Sequence, residues 1–213
     1  MMKTSDLSCC LFLTAMMLTA ACDPGAPVDS KAIKEEIQSR KIRKVSASDI
    51  MTRALNTGEA IQAEVIRQHL ASLLAVEKGI DRCSLPSLPA VVAAQARGIE
   101  VSRISLNPRR RGRALDSVEV AVYEAFEYAA RRQLKIIPSL EELNETTLRY
   151  WAPIYMKQAC QGCHGKKGLQ IDAKTNKLLQ EQFPEDQSFD FEEGALMGLW
   201  RIKMPKKEII KNL

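Results

Sequence analysis

Five consecutive residues, Cys160-Gln161-Gly162-Cys163-His164, carry the densest chemistry in the chain. Two thiols three positions apart can each add to one vinyl group of the same porphyrin. A histidine directly after the second thiol can then ligate the iron. A zinc knuckle would need two more Cys or His ligands nearby, and none lies within 70 residues upstream or anywhere downstream. A thioredoxin-type redox pair does not call for the trailing histidine. The spacing therefore points to one covalently attached haem c, held by Cys160 and Cys163, with His164 as an axial iron ligand.

The elements that must position this motif can be read along the chain. Lys31 to Val45 is heavily charged and helix-prone, with Arg40 to Lys44 a solvated basic face or, as the alternative, a contact for an anionic surface. Ser46-Ala47-Ser48-Asp49 opens a long amphipathic helix running to about Gly79, with an apolar stripe of Ile50, Ala54, Ile61, Val65, Leu70, Leu73 and Leu74. Gly58 within it marks a bend or a close backbone approach. Pro89 to Arg97 reads as a short helix and Gly98 to Leu106 as a strand. Asp116 and Glu119 form a capping-box pattern, and the following helix is expected to bury Val118, Val122, Phe126 and Ala129.

A strand over Thr146 to Met156 runs directly into the Cys-x-x-Cys-His motif. Leu148, Tyr150, Ala152, Ile154 and Met156 point to one side, and Pro153 marks an edge or strand end. After the motif come a helix over Lys174 to Gln182 and a strand over Gly194 to Met204, with Leu196, Gly198, Trp200, Ile202 and Met204 on one face. This order implies an α+β domain, a small and mainly antiparallel sheet flanked by helices that include one long N-terminal helix.

Composition narrows the class. The chain has 213 residues, enough for one domain with a real core. A net charge of +5 with few aromatics among the basic residues does not indicate nucleic acid as a partner. The N-terminus reads as a targeting segment, with Lys3, an apolar run from Leu11 to Leu18, and small residues Thr19-Ala20-Ala21 before Cys22. It resembles a bacterial lipoprotein signal in which Cys22 is lipidated, although Thr19 stands where leucine is more usual. The alternative is cleavage near Ala21 to give a soluble periplasmic protein. The expected organisation is a signal peptide over 1–21, a tether and charged lead-in over 22–45, and a haem-binding domain over 46–213. The lipoprotein would sit on the periplasmic side of a bacterial membrane, held to its surface by the lipid.

Cysteine use is informative in an oxidising compartment. Cys9 and Cys10 leave with the signal, Cys22 takes lipid, and Cys160 and Cys163 take haem. Cys83 is left over, either as a buried inert thiol or as an iron ligand.

Several ordered segments together resemble a known family of single-haem c-type cytochromes with a PAS-like fold, long catalogued as a domain of unknown function. They are Ser39 to Val45, Cys83, Val101 to Leu106, the Arg-rich loop ending in Asp116 and Glu119, Ala152-Pro153-Ile154, Cys160 to Gly165, Phe183 to Asp186, and Gly194 to Gly198. Together they span roughly residues 35 to 205. The resemblance implies His/Cys axial ligation, which falls here on His164 and Cys83. The sequence departs from the family pattern at three places. Arg109-Arg110-Arg111 replaces an Arg-Asn-Pro segment, Val118 replaces a tryptophan, and Asp190-Phe191 replaces a Gly-Tyr pair.

Other second ligands stand beside Cys83: His69, one of Met156, Met197 and Met204, or an open or water-ligated iron. Arg103, Arg149 and the Arg109 to Arg113 loop are candidates for answering the haem propionates. Tyr150, Trp151 and Trp200 read as pocket walls or core. Thiolate ligation lowers an iron potential, so the expected role is low-potential electron transfer or redox poising with an unidentified protein partner. The alternative is a haem-based sensor of redox state or a diatomic gas, signalling through a separate partner. An enzyme such as a peroxidase would need an open iron and distal acid–base groups, so a non-enzymatic role is expected.

Overall fold

The computed structural model describes residues 29–39, 45–74, 84–110 and 112–211. Cys22, Cys83 and residues 40–44 and 75–82 lie outside the described residues. The chain divides into two compact units, 1–44 and 45–213. In the first, the described part is helix α1 (Ser30–Ser39), started by Asp29, whose Oδ1 accepts from the Lys31 and Ala32 amides. Among the described residues no helix is long and apolar enough to cross a membrane.

The second unit begins with α2 (Ala47–Leu74), and Ser46 caps it. Its Oγ accepts from the Asp49 amide at 3.1 Å, and its own amide donates to Asp49 Oδ2. Then follow α3 (Pro89–Ala96), β1 (Glu100–Ile104), α4 (Ser117–Arg131), β2 (Ser139–Asn144) and β3 (Thr147–Tyr155). A 3₁₀ turn (Gln158–Cys160) leads into α5 (Gln161–His164), then α6 (Ala173–Gln182), β4 (Leu196–Pro205) and α7 (Lys206–Ile210). The strands form one antiparallel sheet in the order β1-β4-β3-β2, so the unit is α+β with a PAS-like sheet.

Each face of the sheet is covered. Val101, Leu148, Tyr150, Ala152, Trp200, Ile202 and Met204 pack against Ala54 and Val65 of α2, Val91 and Ala94 of α3, and Ile209 of α7. On the other face Ile104, Trp151 and Leu199 meet Tyr123 and Phe126 of α4. At Gly58 α2 crosses close to the sheet, and the Tyr150 ring lies directly on its backbone.

Four expectations need correction or extension. First, β2 is a strand that its own residues do not announce. Leu140-Glu141-Glu142-Leu143 has no strand alternation, and its extended form comes from pairing with β3. Glu141 sits opposite Arg149, bonds its Nε, and also accepts from Trp151 Nε1 at 2.9 Å. Second, the chain continues past β4 into α7, which extends the expected element order.

Third, α4 is rotated by about one residue. It buries Glu119, Tyr123 and Phe126 and leaves Val118 exposed, because Glu119 is drawn inward by two arginines. Fourth, Leu196 packs with Leu199 rather than with Trp200. The β3–β4 register slips between Ile154 and Tyr155, and this shifts the end of β4 to the opposite face. Pro153 lies past the end of β2, whose pairing stops at Trp151, so it faces no strand on that side.

Candidate haem-attachment site

The Cys-x-x-Cys-His motif occupies a single short turn after β3. Met156 is anchored in both directions, its amide donating to the Ala195 carbonyl and its carbonyl accepting from Gly194 N. The 3₁₀ turn then passes into α5, which places Cys160 and Cys163 one helical turn apart on one side. Both thiols are free and half-buried. Gly165 ends the turn, where a Cβ would meet Gln161 O and Gln170 Oε1 at 2.8 Å.

The segment 183–191 returns beneath the motif. Phe191 N donates to the His164 carbonyl at 3.1 Å and Asp190 N to the Gly165 carbonyl at 3.0 Å. Asp190 holds φ +64, the left-handed region that a glycine would enter without cost and that Asp tolerates. The Gly-to-Asp departure at this position therefore leaves the backbone path open. Ile171, Leu179 and Phe183 form a small core under the turn.

His164 is oriented by this return segment. Its Nδ1 lies 2.7 Å from the Ser188 carbonyl oxygen and 3.0 Å from Ser188 Oγ. A carbonyl can only accept, so Nδ1 carries the proton and Nε2 is the ring nitrogen with a free lone pair. Burial, then the adjacent Arg109 cation, pushes the His164 pKa down to about 4, so the ring is neutral and able to ligate a metal.

Arg109 closes the arrangement from the far side. Its Nη2 donates to the Cys163 carbonyl and to the Ser188 carbonyl, and stands 3.4 Å from His164 Nδ1. Its Nε pairs with Asp186 Oδ2 at 3.1 Å, and Asp186 Oδ1 accepts from Ser188 N at 2.8 Å.

A cavity of about 630 Å³ opens in front of His164. Among the described residues its walls include Leu85, Val101, Ile104, Phe183, Ser84, Ser102, Ser105, Arg103, Arg109 and Arg110. This size and its mix of apolar walls with a few cations suit a large flat cofactor with acidic groups. Arg103 lies over the Trp200 ring and Arg110 over the Phe183 ring. A neutral imidazole on the wall of a cationic, partly apolar cavity fits a haem; Cys160 and Cys163, which flank His164 in the chain, are not among the residues lining that cavity.

The other sequence candidates fall in different places. Arg149 is buried against Glu141 and Trp151, away from the cavity. Arg113 binds Glu119, and Arg111 is outside the described residues. Met156 and Met204 are core residues and Met197 is half-buried; none of the three lines the cavity. Tyr150, Trp151 and Trp200 belong to the two sheet cores. His69 is half-buried on α2, with Nδ1 lacking a hydrogen-bond partner among the described residues. It does not line the cavity but lies near it: burial, then the Arg103 cation of the cavity wall, lowers its pKa, and it acts electrostatically on His164. The structure of Cys83 is not described, but its neighbour Ser84 lines the cavity that His164 faces. Ser188 and Asp186 were not singled out as site residues. Asp186 has one sequence signal, the Phe183-Pro184-Glu185-Asp186 segment shared with the family, and Ser188 has none.

The Tll0287-like family matches this chain over residues 31–205. The crystal structure of the cyanobacterial heme-protein Tll0287 aligns with the chain at 18% identity and a TM-score of 0.53. The alignment covers 71% of this chain and 94% of that one. At this identity the likeness supports the fold. No curated protein matches the chain.

Proposed function

Because the chain belongs to the Tll0287-like family, we propose that it is an exported protein carrying one covalent haem c. It serves low-potential electron transfer or redox poising rather than catalysis. The observation that carries this reading is the His164 ring: its Nδ1–H is committed to the Ser188 carbonyl, and the ring lines a cationic, partly apolar cavity. In a c-type site the orienting bond on one ring nitrogen is what presents the other to iron.

Cys160 and Cys163 would hold the haem by thioether bonds, each S–H adding across a vinyl C=C with no net oxidation. When bound, the haem supplies a one-electron iron couple. His164 and, by the family resemblance, Cys83 would ligate the iron. The support for Cys83 is the family resemblance and the position of Ser84 in the cavity wall. Arg103 and Arg110 line the cavity and are placed to answer propionates, while Arg109 is engaged with the His164 loop. Lipidation at Cys22 would tether the domain to the periplasmic side of a bacterial membrane, where it meets its redox partner.

The test is purification of the full chain from a host with c-type cytochrome maturation, followed by a pyridine haemochrome spectrum, redox titration and exposure to CO. One haem per chain, a low potential and no CO binding are expected. C160S/C163S should lose covalent haem, and C83A should change the ferric EPR spectrum. Chain recovered without covalent haem overturns the reading. Fast CO binding to the ferrous protein would favour the sensor.

A further inference from the structure

The arginine-rich loop has three described members, Arg109, Arg110 and Arg113, and Arg109 turns its guanidinium inward to the motif. That guanidinium is well buried, with 13% side-chain exposure, and Asp186 opposite it has 9%. It therefore acts through a poorly screened environment. Its Nη2 donates to two carbonyls. One belongs to Cys163, within the motif. The other is the Ser188 carbonyl, the same oxygen that receives the His164 Nδ1–H at 2.7 Å. Asp186 completes a ring of contacts by holding both Arg109 Nε and the Ser188 amide. The Phe183 ring lies under the guanidinium at 5.6 Å and closes off that side.

We propose that Arg109 is a positioning residue that raises the reduction potential of the site by competing with His164 for the Ser188 carbonyl. The inference rests on the haem reading above and adds to it a residue that does not touch iron. The physical argument has two parts with the same sign. A carbonyl that accepts strongly from Nδ1–H makes the imidazole a better electron donor and favours ferric iron. A second donor on that carbonyl weakens the bond and relaxes the preference. The guanidinium charge, 3.4 Å from Nδ1, also disfavours the extra positive charge of the ferric state. Asp186 works against both by neutralising Arg109. The site thus carries a paired cation and anion that trim a potential otherwise set low by its ligands.

The test uses the haem-loaded full chain and three variants, R109Q, R109K and D186N. R109Q should lower the ferrous-to-ferric ratio at a fixed ambient potential about ten-fold, a shift of about 59 mV to the negative for one electron. R109K, which keeps the charge, should recover most of that shift. D186N, which keeps an acceptor for the Ser188 amide but frees Arg109 of its counter-charge, should move the potential to the positive. In the reduced protein the His164 Nδ1–H resonance should move downfield in R109Q as the carbonyl accepts more strongly. Shifts of the same sign in R109Q and D186N, or an unmoved potential with an unmoved resonance, would overturn the proposal. If R109Q does not fold, R109K and D186N decide, and a negative shift in D186N overturns it. A pyridine haemochrome spectrum on each sample keeps the two readings apart. Loss of haem from the wild type refutes the haem reading itself, whereas haem present with unchanged potentials refutes only the role of Arg109.

Discussion

The Tyr150 ring lies on the backbone of Gly58: a Cβ added there would stand 2.5 Å from Tyr150 Cδ2 and 2.6 Å from Cγ. Glycine is therefore required in the middle of a 28-residue helix, at a position where the helix itself would prefer alanine. The ring cannot retreat easily, because its hydroxyl donates to Gln62 Oε1 on the same helix and its body is fully buried. G58A gains about 1 kcal/mol of helix propensity and loses about 1–3 kcal/mol to overpacking. The expected net effect is a lower thermal midpoint, read by circular dichroism. Pairing G58A with Y150L should remove most of the clash. An unchanged midpoint in G58A would sink this account of the α2 crossing.

Glu119 links α4 to the sheet and should make the fold acid-sensitive. Burial on its own would raise the carboxyl, but hydrogen bonds from Arg113, the Asp116 amide and Arg201 outweigh it and hold the pKa down to about 2. The folded value lies below the ordinary 4.5. The stabilisation is therefore complete above about pH 4.5 and is lost as pH falls toward 2. A shift of this size corresponds to about 3 kcal/mol. E119Q should lose about 3 kcal/mol at pH 7, since it leaves Arg201 buried beside a neutral group. It should also show a flatter decline of stability between pH 5 and pH 2.5 than the wild type. Urea unfolding at several pH values measures both, and parallel acid limbs would contradict the assignment.

Gly165 closes the attachment turn, and a side chain there has no room. Gln161 O accepts the Gly165 amide at 2.9 Å, and Gln170 Oε1 accepts the Lys166 amide at 2.7 Å, so neither oxygen can yield without breaking a bond. G165A is expected to cost about 1–3 kcal/mol and to displace His164 relative to the two thiols. Covalent haem per chain, read from the pyridine haemochrome, should fall several-fold. G162A, where a Cβ meets nothing within 4 Å, should leave the yield near that of the wild type. Equal yields from the two variants would show that the turn does not depend on Gly165.

Features whose partners lie a few residues away were readable from the sequence alone. The Cys-x-x-Cys-His spacing carries its own chemistry within five residues. The Asp116–Glu119 capping box is a three-residue interaction and stands in the structure as expected. Gly58 announced a close approach, and β3 and β4 announced themselves by alternation. These signals also sufficed for the α+β class, because the order of elements follows from local periodicity.

What only the tertiary structure decided depends on partners distant in sequence. Of the arginines in one loop, Arg109 turns toward the motif because Cys163 and Ser188, 54 and 79 residues away, offer carbonyls and Asp186 offers a counter-charge. The inward face of α4 was set by Arg201, 82 residues from Glu119, which made a buried carboxylate cheaper than a buried valine. β2 became a strand because β3 presented Arg149 and Trp151 to Glu141. In each case the deciding energy is a pairing of polar groups out of water. A local pattern cannot hold that energy, because the second group is placed only once the chain has folded.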